Sequence, residues 1–351
     1  MKFMNNQKII TMSVESALFS LFWPNTLVIA SPTSVEKLDE GSQNILQWES
    51  DHVLHTNNLS FDTILTTVQR DHSNISTVVA IGGGTAIDYA KYVSKHLDLE
   101  CVVIPSMLST NAFATDKVAV YADGGKHTEW GKLPDTIILS MDYLNQSSRE
   151  NLYGLVDVFS IYNALRDWEY AQNFHNEIIA LHIWSRATQL LHSALELAYD
   201  YLNTHQLDIT QLFHVIQEAG YITNDYGSGR PESGSEHIFA SALESKIKIP
   251  HALAVTLGMY IMEFLSKYAP KTPPVGRVCS FSTLPFDQLG LISDINAMDL
   301  NYDMIYNVLC DLRPRHDKFT MVDLVKDVQV DYRVLGEYLQ QYKFEFVYKS
   351  R

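Results

Sequence analysis

Between residues 24 and 142, four short runs of apolar and β-branched residues recur with helix-length intervals between them: TLVIA (26–30), TVVAI (77–81), ECVVI (100–104) and TIIL (136–139). None alternates polar with apolar residues, and Gly, Pro or Ser bounds most of them. A strand with one wet face alternates, so continuous apolar runs of this length predict parallel strands covered on both faces. Residues 1–146 are therefore expected to form a doubly wound α/β domain. From about residue 147 the pattern changes. Apolar positions recur at three- and four-residue spacing through 150–220 and 236–268, which predicts a second, helical domain over 147–351. A Gly/Ser/Pro-rich stretch at 224–234 (NDYGSGRPESG) interrupts it directly upstream of a histidine and is expected to be a loop.

The 351 residues carry a formal net charge of −15 with 46% hydrophobic content. That balance suits a chain with a buried core and leaves no general basic field, so neither nucleic acid nor an anionic membrane surface is an expected partner. Cys101, Cys279 and Cys310 form no CxxC and no paired framework, as expected of a protein kept in a reducing compartment. No run reaches the roughly 18 apolar residues of a membrane span, and a cytoplasmic location is expected.

The second run leads into Gly82-Gly83-Gly84-Thr85 and a helical stretch containing Asp88. Glycines at a strand-to-helix turn let the backbone approach a pyrophosphate, and the helix N-terminus attracts its charge. The spacing is not GxGxxG, so a nucleotide loop and a tight structural turn both stay open. In the second half, Asp157, His237 and His251 are a carboxylate and two imidazoles of the kind that hold Zn²⁺ or Fe²⁺. With thirteen histidines in the chain, spacing alone does not bring these three together. An aspartate in an apolar helical stretch, however, is costly unless paired or bound to a cation.

Taken in order, these segments resemble the superfamily of sn-glycerol-1-phosphate dehydrogenase, glycerol dehydrogenase, the group III iron-type alcohol dehydrogenases and, more distantly, dehydroquinate synthase. Gly82-Gly83-Gly84 with Asp88 resembles its GGGxxxD loop, and IPSMLSTNAFATDKVAVY (104–121) its second nucleotide and substrate segment. GLVD (154–157) resembles the metal motif. SGSEH (233–237) and LRPRHDKFTMVD (312–323) are similar to runs of the glycerol-1-phosphate dehydrogenases. The resemblance implies a Rossmann-like α/β domain followed by an all-α domain, the dehydroquinate synthase-like fold. It also implies NAD or NADP, one divalent metal (Zn or Fe) on Asp157, His237 and His251, a small polyol or polyol-phosphate substrate, and assembly into homo-oligomers. Gly82, Gly83, Gly84, Asp88, Ser109, Thr110, Thr115, Lys117 and Tyr121 are the implied cofactor residues, and Asn111 and Lys117 the implied substrate residues.

Three positions depart from the pattern. Asn111 stands for the family aspartate, Ser241 for a second histidine, and Ala252 follows His251 where the family has glycine. Asp157 with Ser160 favours a dehydrogenase over an NAD-retaining sugar-phosphate cyclase, in which a lysine would follow the metal-binding carboxylate. The departures also admit a catalytically altered member. Lys117, Arg313, Arg315, His316 and Lys318 are the expected anion contacts, because an acidic chain has to concentrate positive charge locally to hold a phosphate.

Overall fold

The computed structural model describes residues 7–347 apart from 22, 57–59, 73, 123, 124, 273 and 277; for 121, 122 and 125–127 it describes the backbone alone. Two compact units emerge. One comprises Met1–Gly154 with Asp208–Asp225, the other Leu155–Leu207 with Tyr226–Arg351.

The first unit is built on a six-stranded parallel sheet of β1 (Lys8–Thr11), β2 (Thr26–Ala30), β3 (Val53–His55), β4 (Thr77–Gly82), β5 (Glu100–Pro105) and β8 (Thr136–Leu139). Its order is β1-β8-β5-β4-β2-β3, and β6 (Lys117–Ala122) with β7 (Gly125–Trp130) forms a separate antiparallel hairpin. All four apolar runs are strands, with β4 and β5 each one residue longer than expected. Leu27, Val28, Ile29, Val79, Ile81, Val103 and Ile104 are wholly buried, which is why these strands read as unbroken apolar runs. The chain steps from β2 outward to β3, then returns to lay β4 against the other side of β2 and continues through β5. The order therefore reverses between β2 and β4, the topological switch point at which open α/β sheets bind ligands.

Helix α1 (Gly84–Leu97) follows β4, and α2 (Ser148–Phe159) begins in this unit. In the second unit α3 (Ile161–His175) and α4 (Leu181–Thr204) follow; α5 (Ile209–Tyr226) then returns to the first. Phe213 of α5 stacks on Phe113 at 5.2 Å, and a Cβ built at Gly220 falls 2.7 Å from Ala114 O, so the helix lies directly on the 112–115 segment. The expected loop at 224–234 starts later than the sequence suggests, because α5 runs on to Tyr226. Asn224 Nδ2 donates to Ala114 O at 3.0 Å, while its Oδ1 accepts from Thr115 Oγ1 at 3.0 Å and from Asp116 N at 3.2 Å. A residue type that locally favours turns is held in a helix by partners far away in sequence.

The second unit continues with α6 (Ser235–Glu244), α7 (His251–Leu265) and the short α8 (Met321–Val325). Thirteen of the fifteen residues of α7 are buried, so it is apolar all round and runs through the core rather than over the surface. Trp168, Phe239, Phe264 and Phe286 pack this unit, each worth on the order of 2–3 kcal/mol of apolar burial. Among the described residues no helix is long and apolar enough to cross a membrane.

Candidate metal centre and glycine turn

Asp157 lies in the last turn of α2, His237 in the first turn of α6, and His251 is the first residue of α7. Their ligand atoms lie within 4.8 Å of one another. The Nε2 atoms of His251 and His237 stand 3.6 and 3.9 Å from Asp157 Oδ1. Ligand atoms of one tetrahedral ion with 2.0–2.1 Å bonds stand about 3.4 Å apart, so each imidazole nitrogen is within about half an ångström of the separation from Asp157 Oδ1 that a shared cation requires. Asp157 Oδ1 is buried without a hydrogen-bond partner among the described residues. An orphaned buried carboxylate oxygen facing two imidazole nitrogens fits a cation far better than it fits a plain polar cluster.

The surroundings of the three residues are built with care for polar groups. His237 Nδ1 is 2.7 Å from Glu236 Oε1, and His251 Nδ1 meets Glu244 Oε1. Glu236 Oε1 also accepts from Gly234 N at 2.7 Å. Asp167, wholly enclosed on α3, accepts from Ser235 N at 2.5 Å and Met321 N at 2.7 Å, pinning SGSEH to two helices. Burial, with the charge of Glu236 adding to it, pushes the Asp167 carboxyl up to about 6. Gly234 is required by space: a Cβ there would meet Asp167 Oδ2 at 2.3 Å and Glu236 Oε2 at 2.9 Å. Ser160 Oγ lies 2.6 Å from the carbonyl oxygens of both Asp157 and Glu232, joining the end of α2 to the loop before α6.

In the first unit the three glycines occupy the end of β4 and the start of α1, at the switch point. Gly82 has φ +155°, and a Cβ on it would come 2.8 Å from Ala86 Cβ and 3.2 Å from Ser31 Cβ. Gly83 is the N-cap of α1 and offers no side chain to its first amides. The open amides at a helix start form a ready anion site. Ser109, Thr110 and Asn111 are partly exposed. The Thr110 hydroxyl lies 3.2 Å from the position a Gly84 Cβ would take.

Asp88 faces inward. Its Oδ1 pairs with the fully buried Lys91 Nζ at 3.1 Å, and its Oδ2 accepts from Ala119 N at 3.0 Å. Lys91 Nζ donates in turn to Ala112 O at 2.9 Å and to Lys117 O. The aspartate after the glycine turn thus anchors the 112–119 segment to α1. Thr115 is buried against Asn224. Lys117 Nζ pairs with Asp116 at 3.0 Å over the Trp130 ring, and burial holds its pKa below the usual lysine range. The side chain of Tyr121 lies outside the described residues.

The C-terminal cations have protein partners of their own. Arg313 donates to Leu312 O at 2.9 Å, Arg315 forms a two-pronged pair with Asp317 at 2.8 and 2.7 Å, and His316 is exposed. Lys318 Nζ donates to Ser233 O at 2.7 Å, and burial, with the charges of Arg230 and Arg315 adding, pushes its pKa down to about 8. Reading the sequence missed Glu236, Glu244, Asp167, Lys91 and Asn224. Of these only Glu236, adjacent to His237, carried a local signal.

A family model described as iron-containing alcohol dehydrogenase matches residues 18–147. Curated relatives include the glycerol-1-phosphate dehydrogenase (NAD(P)+) of Sulfurisphaera tokodaii, 29% identical over 196 residues, and that of Aeropyrum pernix, 32% identical over 200 residues. Each match covers 55% of this chain, and the chain spans only 56% of the length of either relative. Among solved structures, glycerol dehydrogenase from Schizosaccharomyces pombe aligns with a TM-score of 0.61 at 14% identity, over 98% of this chain and 93% of that one. The resemblance carried by the motifs is therefore found again in both sequence and fold. The fold is the dehydroquinate synthase-like one of the glycerol dehydrogenases and iron-containing alcohol dehydrogenases.

Proposed function

We propose that the chain is a metal-dependent NAD(P)-linked oxidoreductase that interconverts a hydroxyl and a carbonyl on a small polyol or polyol phosphate. The observation that carries this reading is the convergence of Asp157 Oδ1 with the Nε2 atoms of His237 and His251. One carboxylate and two imidazoles supply three ligands and leave a position for a substrate oxygen, the arrangement of a catalytic Zn²⁺ or Fe²⁺ site. When bound, such a cation lends Lewis acidity to a hydroxyl or carbonyl oxygen, and a nicotinamide exchanges hydride with the carbon that bears it.

The remaining work falls to the chain. Gly83 and Gly84 keep side chains away from the first amides of α1, where a pyrophosphate is received. Asp88 and Lys91 hold the 112–119 segment, which directly follows Ser109, Thr110 and Asn111. Asp167, Gly234 and Ser160 fix the loop before His237. Ser160, turned onto the carbonyls of Asp157 and Glu232 where a cyclase would carry a lysine after its metal-binding carboxylate, supports a dehydrogenase.

The test joins metal analysis of the purified protein to a screen of polyols and polyol phosphates that follows nicotinamide absorbance. The expected outcome is one divalent ion per chain and a steady absorbance change with at least one substrate of this class. If metal-replete protein binds neither NAD(H) nor NADP(H), the reading is wrong.

A further inference from the structure

We propose that Glu236 and Glu244 are positioning residues of the metal centre, each accepting a hydrogen bond from Nδ1–H of one ligand histidine and so turning its Nε2 toward Asp157. The proposal rests on reading Asp157, His237 and His251 as metal ligands and adds residues that touch no ligand atom.

Two routes through the sequence arrive at the same geometry. Glu236 is the neighbour of His237 on α6; Glu244 closes α6 and reaches across the turn to His251 at the start of α7. In both cases a glutamate oxygen takes Nδ1, while the Nε2 atoms face Asp157 Oδ1 at 3.9 and 3.6 Å. The glutamate side chains are 0% and 7% exposed, against 23% and 22% for the histidines they hold. An ionised carboxylate only accepts. Its partner nitrogen therefore carries the ring proton, which fixes the tautomer and leaves the Nε2 lone pair for a cation.

Burying a carboxylate is costly unless its interactions compensate. Surface ion pairing does not explain a fully buried Glu236, whose Oε2 has no hydrogen-bond partner among the described residues. Positioning of the imidazole does, because the carboxylate also raises the basicity of the ligand nitrogen. One helix thus carries a ligand, its own support and the support of the second imidazole.

The test uses the full-length chain and Co²⁺ in competition with a chromophoric chelator. Glu244→Gln and Glu236→Gln keep side-chain volume and lose the charge. Each is expected to weaken Co²⁺ binding by about 10- to 100-fold, and to alter the visible Co²⁺ spectrum at saturation, which a merely structural residue would leave alone. Glu244→Ala, with no acceptor at all, is expected to lose more than Glu244→Gln. Wild-type affinity and an unchanged spectrum in both glutamine variants would overturn the proposal while leaving the metal centre standing. No Co²⁺ binding by the wild-type protein would overturn both.

Discussion

Gly258 of α7 offers a test whose sign separates two accounts. A Cβ built there falls 2.6 Å from Glu236 O and 3.3 Å from Glu236 C and Cα, all backbone atoms of the first turn of α6. Backbone has no rotamer to yield, so Gly258→Ala has to push α6 and α7 apart. Overpacking of this kind costs about 1–3 kcal/mol, whereas alanine in a helix interior gains about 0.5–1 kcal/mol over glycine. The net expectation is a loss of roughly 1 kcal/mol. Were the helices not in this contact, the same substitution would stabilise the protein by the propensity gain alone.

Urea unfolding of the metal-free protein reads the difference as a lower midpoint at unchanged slope. The two helices also carry His237 and His251, and disturbing the groups that orient metal ligands typically costs about 10- to 100-fold in affinity. Co²⁺ affinity is therefore expected to fall by about tenfold or more. A Gly258→Ala protein that unfolds at higher urea and binds Co²⁺ like the wild type would refute the packing of α7 on α6.

Two further outcomes follow from buried charges in other places. Asp88→Asn leaves Lys91 without its carboxylate in a fully enclosed site, and a loss of about 3 kcal/mol of stability is expected in denaturant titration. Lys318 has a folded pKa of about 8, below its ordinary 10.5, so the stability it contributes is fully present above 10.5 and is lost as the pH falls through about 8. Relative to Lys318→Met, the wild type is expected to lose up to roughly 3 kcal/mol across that window and to show no further difference below it. A difference between the two proteins that does not vary with pH would contradict the burial of the amine.

The sheet was legible where burial left only one kind of residue usable. Strands β2 and β8 match the runs at 26–30 and 136–139 because both faces of each are covered. β1 (KIIT), with mixed exposure at an edge, and the three-residue β3 carry too few buried positions to stand out. The hairpin β6–β7 was hidden for a different reason: its anchor is the Asp88–Lys91 pair on α1, a tertiary contact. The end of α5 was misjudged because Asn224 satisfies the 114–116 backbone rather than its own.

At the site, Asp157, His237 and His251 were visible as residue types and through motif order, but nothing local said that they meet. Their meeting depends on the close approach of α7 to α6 at Gly258 and on Gly234 fitting against Asp167. Glu244 was invisible in the sequence because its partner lies across a turn, at the start of the next helix.

X-ray absorption at the metal edge of the Zn²⁺- or Fe²⁺-loaded protein tests the central claim most directly. The expected first shell holds two imidazole nitrogens and a carboxylate oxygen at about 2.0–2.2 Å, with the outer-shell scattering of two histidine rings. That histidine signal is expected to halve in His251→Ala. A sulfur shell, or a spectrum without histidine scattering, would place the ion elsewhere and contradict the account.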